Sequence, residues 1–230
     1  MPKAEPVNPV LAADQATKTY ADLVALHPLT LRIPRGQSVA LVGHNGSGKS
    51  TFLAISAGLL ELSDGAISVL GEPAGSSPAR AAVSYLPDAP VLYDDLSVRE
   101  HLAYVAALHG VPIDEADLDE LLDRLGLRDR ADDLPARFSR GLRQRTSIAL
   151  GLVRPFELLL VDEPFVGLDA SGKGALLTVL DELHADGAAL VVATHDPTFV
   201  ERVDRCIALR DGRVIHDGAA TPSEVVELVG

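Results

Sequence analysis

Short continuous apolar runs recur along the chain, separated by stretches whose apolar residues fall at helical spacing. From Leu11 to Pro34, apolar runs alternate with polar breaks and predict strands, one of them ending at Tyr20. Pro34-Arg35-Gly36-Gln37 reads as a turn into the strand Ser38-Val39-Ala40-Leu41-Val42. A helix-like run follows from Thr51 to Gly58, then the strand Ala66–Leu70, a Gly/Pro/Ser loop from Gly71 to Pro78, and a short strand Val83–Leu86 that stops at Pro87-Asp88. The middle of the chain is helical. Ser97 with Glu100 three residues on is a capping box, and the helix it starts runs to about His109 and stops at Gly110. A second, acidic helix from Ile113 to Leu125 lines up Leu118, Leu121, Leu122 and Leu125, and a third runs from about Leu142 to Val153. The Asp-rich stretch Asp114–Asp133 reads as a solvated face.

Then the alternation returns. Glu157–Val161 is continuously apolar, as expected of a strand buried on both faces. A helix from Ala170 to Asp186, the strand Ala189–Ala193, a short helix after Pro197, strands around Ile207 and Val214 about the turn Asp211-Gly212, and a small helix from Ser223 complete the chain. Residues 1–10 form a Pro-rich lead-in. Strand–helix alternation implies an α/β fold with a mainly parallel sheet, and the helical middle reads as an insertion into it.

One loop carries unmistakable chemistry. Gly43-His44-Asn45-Gly46-Ser47-Gly48-Lys49-Ser50-Thr51 sits between a strand and a helix, which is the confirming context of a phosphate-binding P-loop. Its glycines let successive N–H groups converge on one anion, and the helix start adds the positive end of its dipole. Lys49 is then placed to reach the β- and γ-phosphates, and Ser50 to ligate Mg²⁺.

Composition narrows the options. With 230 residues, 47% of them hydrophobic, the chain can build a sizeable core; aromatics are only 4%, so that core is mostly aliphatic. A net charge of −13 argues against broad contact with nucleic acid. The single cysteine, Cys206, lies in an apolar run, which suits a buried thiol and neither a disulfide nor a cysteine metal cluster. The N-terminus lacks the apolar core of a signal peptide and no run is long enough to span a membrane, so a soluble cytoplasmic protein is expected.

Leu158-Leu159-Leu160-Val161-Asp162-Glu163-Pro164 ends an apolar strand in two carboxylates, at the edge where open α/β sheets bind ligands. Asp162 suits a Mg²⁺ ligand and Glu163 a general base for attack by water. Phe138-Ser139-Arg140-Gly141-Leu142-Arg143-Gln144-Arg145 lies just upstream. Together these stretches resemble the nucleotide-binding subunit of ATP-binding cassette (ABC) transporters over nearly the whole chain, from about Leu11 to Gly218.

The resemblance implies a P-loop NTPase core with an N-terminal antiparallel β subdomain (1–88 and 156–230) and an inserted helical subdomain (89–155). It implies ATP and Mg²⁺ as ligands. Gly43, Asn45, Gly46, Ser47, Gly48, Lys49, Ser50 and Thr51 would hold the phosphates, with Tyr20 stacked on adenine. Ser139 and Gly141 match the signature residues that contact the γ-phosphate of a second subunit. Asp169, in Phe165-Val166-Gly167-Leu168-Asp169, matches the loop that couples the two sites, and His195 the switch histidine. Catalysis would rest on Glu163, His195 and Lys49.

Two stretches depart from the family pattern. Asp88 stands where glutamine is usual, as an oxygen ligand to Mg²⁺ directly or through water, and Arg140 and Leu142 alter the signature. The altered form looks most like exporters with a separate permease. The implied partners are a polytopic membrane permease and a second cassette, the same chain or a similar one, packed head to tail. That would hold the chain at the inner face of the cell membrane. A soluble assembly ATPase, as in iron–sulfur cluster assembly, and a binding-only regulator are the other readings; the retained Glu163 speaks against the latter.

Overall fold

The computed structural model describes residues 9–229; of the Pro-rich lead-in, Pro9 and Val10 already belong to the first strand and the rest lies outside the described residues. Two compact units emerge. The first runs up to Tyr85 and takes in Phe156–Glu163 and the chain from Leu183; the second comprises Leu86–Pro155 and Pro164–Glu182.

In the first unit, β1 (Pro9–Tyr20) and β2 (Leu23–Pro34) form a long hairpin, and β3 (Ser38–Val42) runs into α1 (Lys49–Ser56). β4 (Asp64–Val69) and β5 (Glu72–Pro73) join the hairpin in a four-stranded antiparallel sheet of order β2-β1-β4-β5. After α2 (Ser77–Ala82) comes β6 (Val83–Leu86), followed later by β7 (Leu158–Asp162), β8 (Ala189–Ala193), β9 (Arg205–Arg210) and β10 (Arg213–Gly218). The second sheet has the order β10-β9-β3-β8-β7-β6. Its β9-β3-β8-β7 core is parallel, and only the hairpin partner β10 runs antiparallel to its neighbour β9 among the pairings described.

Every residue of β3, β7 and β8 is buried, which is why their sequences show no polar alternation. Period-two spacing still sorts their faces. Leu41, Leu160, Val191 and Ile207 share one core cluster with Phe52 and Leu53 of α1 and with Leu11, Leu31 and Val69 of the antiparallel sheet. Each such side chain contributes about 1.5–3 kcal/mol through burial. Register then places the chemistry. Leu41 pairs with Ala193, and Ala193 with Asp162, so β3, β8 and β7 end within one residue of the same level.

The second unit contains α3 (Val98–Leu108), α4 (Glu115–Arg124), α5 (Arg140–Leu152) and most of α6 (Ala170–Ala185); α7 (Pro222–Val229) closes the chain in the first. Ser97 and Glu100 form the expected capping box. The acidic stretch is less solvated than its composition suggests, because Asp119 is gripped by Arg99 at 2.8 Å and Arg128 at 2.7 Å.

Three details differ from the sequence reading. The loop expected from Gly71 to Pro78 contains β5 and the start of α2; Ser76 caps that helix from outside and Pro78 fits its first turn, a start signal hidden in loop-like composition. Short 3₁₀ turns at Arg128–Arg130 and Pro135–Arg137 were not legible. Helices α1 and α5 begin at Lys49 and Arg140, earlier than apolar spacing alone indicates.

Candidate active site

The P-loop is shaped by what lies behind it. Gly48 sits at φ 105, and a Cβ there would meet the Ala25 carbonyl oxygen and the Leu26 side chain at 2.8 Å each. At Gly43 a Cβ would come within 2.3 Å of the Leu209 carbonyl oxygen. Only glycine allows these approaches. The Gly212 N–H donates to Ser47 O at 3.0 Å, and the His27 N–H donates to Gly212 O at 2.9 Å, so the loop is laced to the β9–β10 turn and to β2. Ala25 is the unpaired extra residue of a bulge, since β1–β2 pairing jumps from Lys18↔Leu26 to Thr19↔Val24. A Cβ at Gly46 would meet nothing within 4 Å, which leaves the outer rim open to a ligand. Asn45 and Ser50 are exposed, Thr51 is half-buried, and Ser47 is buried, its hydroxyl without a hydrogen-bond partner among the described residues.

Lys49 is held deep in this loop. Its Nζ donates to Gly43 O at 2.7 Å and to His44 O at 3.3 Å, and lies 3.5 Å from Glu163 Oε1. The two side chains are 6% and 14% exposed, so the pair acts largely out of water, where charge interactions are strong. Glu163 follows β7 with φ 46, a left-handed conformation rare outside glycine, and its N–H donates to Ala193 O at 2.8 Å. That turn presents its carboxylate to both Lys49 and His195, whose Nδ1 lies 2.9 Å from Glu163 Oε2. Asp162 is buried at the last position of β7.

These donors suit Mg²⁺. The ion prefers oxygen ligands and keeps several of its waters; a buried strand-end carboxylate and the exposed Ser50 hydroxyl provide such a set. Tyr20, the final residue of β1, is 44% exposed, as a stacking platform requires.

The second unit carries the other candidates. Ser139 caps α5, its hydroxyl accepting from the Leu142 N–H at 3.3 Å. Gly141 is fixed by a close approach, because a Cβ there would stand 2.8 Å from Gly167 O. The stem of Arg140 covers Gly167, and its guanidinium reaches Asp88 at 3.6 Å. Asp88 and Arg140, two of the residues that depart from the family pattern, therefore pair with each other.

Asp169 accepts from the Gly172 N–H at 2.9 Å and from Arg145 at 2.6 Å; the first bond and then the second hold its carboxyl below the usual range. The structure thus brings Lys49, Glu163 and His195 together within the first unit, whereas Asp88, Ser139, Gly141 and Asp169 belong to the second.

Sequence reasoning missed Arg145 as the partner of Asp169, Lys18 beside Tyr20 and the bulge at Ala25. Only the Lys18–Tyr20 pair left a trace in the sequence, through i, i+2 spacing on one strand.

The family model described as ABC transporter matches residues 26–166. The macrolide export ATP-binding/permease protein MacB 1 of Aeromonas hydrophila is 37% identical over 207 residues, covering 86% of this chain and 32% of its own length. The chain thus spans about a third of that relative. The ABC-type transporter ATP-binding protein EcsA of Bacillus subtilis is 33% identical over 226 residues, covering 96% of this chain and 91% of its own. A solved structure of the ATP-binding subunit of an ABC transporter, 33% identical, superposes with a TM-score of 0.86 over 95% of this chain and 99% of the other.

Proposed function

The chain belongs to the ABC transporter family, and on that premise we propose that it is an ATPase cassette that pairs head to tail with a second cassette and drives a membrane permease in export. The observation that carries the enzymatic reading is the convergence of Lys49 and His195 on Glu163 beside an open P-loop rim. Export is supported by the MacB-type relatives, which are named for macrolide export. No helix among the described residues is long and apolar enough to cross a membrane. In this reading a polytopic permease supplies the pathway and holds the cassette at the inner face of the membrane.

The chemistry follows from the residues. P-loop N–H groups and Lys49 grip the β- and γ-phosphates, and Tyr20 takes the adenine face. Ser50 and Asp162 would hold Mg²⁺, which would neutralise phosphate charge there. Glu163 accepts the proton of the attacking water as oxygen bonds to the γ-phosphorus and the bond to ADP breaks. His195 holds that carboxylate in place and contacts the γ-phosphate. Ser139 and Gly141 close over the nucleotide of the partner cassette, with Asp169 linking the two sites. ATP then favours the closed pair, and hydrolysis reopens it.

A pull-down tests this reading. Tagged Glu163→Gln protein, kept in ATP, is recovered from gently solubilised membranes and its companions identified. A polytopic membrane protein in stoichiometric amount is the expected result. Recovery of soluble partners alone would overturn the transport assignment.

A further inference from the structure

Lys18 and Tyr20 stand two residues apart on β1, on one face of the strand. Lys18 Nζ lies 4.9 Å from the centroid of the Tyr20 ring and also donates to Glu61 O at 2.7 Å. The same stretch of β1 is pinned again nearby. The Ser63 N–H donates to Thr17 O at 2.9 Å, and the Thr19 N–H donates to Ser63 Oγ at 3.0 Å. The ammonium is thus tethered to the Glu61–Ser63 segment and capped by the ring. One face of Tyr20 is taken by a cation, and 44% of the residue remains exposed.

We infer that Lys18 is a positioning residue for nucleotide-base binding: it fixes the Tyr20 ring and polarises it from behind, so that the free face stacks on adenine. This rests on the reading of Tyr20 as the adenine platform. A cation on one face of a ring withdraws electron density from the other, which strengthens stacking against an electron-rich purine. It also spares the ring the loss of rotational freedom on binding, because the ring is already held. Lys18 need not touch the nucleotide for either effect.

The test compares wild type, Lys18→Met, Lys18→Arg and Tyr20→Ala by calorimetric binding of ATP and of inorganic tripolyphosphate, with steady-state kinetics and melting temperatures alongside. Lys18→Met is expected to weaken ATP binding about threefold, the size of an exposed cation–π contact, and to raise KM with kcat unchanged. Tripolyphosphate, which has no base, should bind as before, and Lys18→Arg should restore ATP binding. Equal weakening of ATP and tripolyphosphate would show a plain charge effect and overturn the inference. So would unchanged ATP binding in Lys18→Met beside a loss in Tyr20→Ala. If Tyr20→Ala itself leaves ATP binding intact, the platform reading fails, and this inference with it.

Discussion

His195 Nδ1 lies 2.9 Å from Glu163 Oε2, joining the second residue beyond β8 to the first residue beyond β7. The histidine side chain is 60% exposed while the glutamate is 14% exposed, so the contact links a half-buried carboxylate to the open surface of the site. Lys49 holds the other carboxylate oxygen at 3.5 Å. A general base steered from both oxygens keeps its orientation before substrate arrives, which reduces the reorganisation needed in the reaction.

Glu163→Gln should bind ATP with near wild-type affinity and lose about 10²–10⁴-fold in phosphate release, the span expected for removing a general base. Native mass spectrometry should then find the ATP-bound pair. Wild-type turnover would remove Glu163 from the chemistry. His195→Ala should lower kcat by less, since it orients the base and is not itself the base.

Lys49→Ala should abolish productive ATP binding. It should also destabilise the free protein by about 1–3 kcal/mol, because the half-buried Glu163 loses its neighbouring cation and keeps only His195. Adding Glu163→Gln should recover most of the melting temperature and none of the activity. A double variant as unstable as Lys49→Ala would show that the pair is not electrostatically coupled.

Gly141→Ala should cost about 1–3 kcal/mol, because the new methyl group would meet Gly167 O at 2.8 Å and backbone cannot swing aside as a side chain can. Chemical denaturation measures the loss; an unchanged midpoint would contradict the close packing of the first turn of α5 on Gly167.

Asp169→Ala should lower the melting temperature at neutral pH, through loss of the Gly172 and Arg145 hydrogen bonds. The folded carboxyl titrates below its unfolded value. Its stabilisation is therefore complete above the unfolded pKa of about 3.9 and fades as pH falls through the lower folded value. The gap between wild type and variant should close on acidification. A gap that stays constant from pH 7 to about 3 would point to lost packing alone.

Cys206 is buried in β9, and burial, with a smaller contribution from Asp217, pushes its thiol up to about 11. It should resist iodoacetamide at pH 8 until the protein unfolds. Because the folded pKa is raised, the neutral thiol favours the fold fully below its unfolded value of about 8.5, and this is lost as pH climbs toward 11. Rapid labelling of the folded protein at pH 8 would contradict that burial.

Much of this was legible beforehand because the signals are local. Ser97 and Glu100 start α3 through a capping box that needs only a three-residue spacing. Glu157–Val161 showed a two-sided strand because both faces of β7 are in fact covered. Ser76-Ser77-Pro78 misled because serine and proline serve loops and helix starts alike. The pairing of Asp88 with Arg140 could not be anticipated, since they lie far apart in sequence and meet only through the fold.

Residue type and short-range spacing were enough for the P-loop, the two carboxylates at the end of β7, and most of the strands and helices. Tertiary structure decided which of these share a site. It set β3 between β8 and β9 and aligned Leu41, Ala193 and Asp162 at one level. It turned Glu163 through a left-handed φ toward Lys49 and His195, and pressed the Ala25 bulge against Gly48. Strand order and register depend on which buried faces fit together across the sheet, and no local spacing in a single chain encodes that fit.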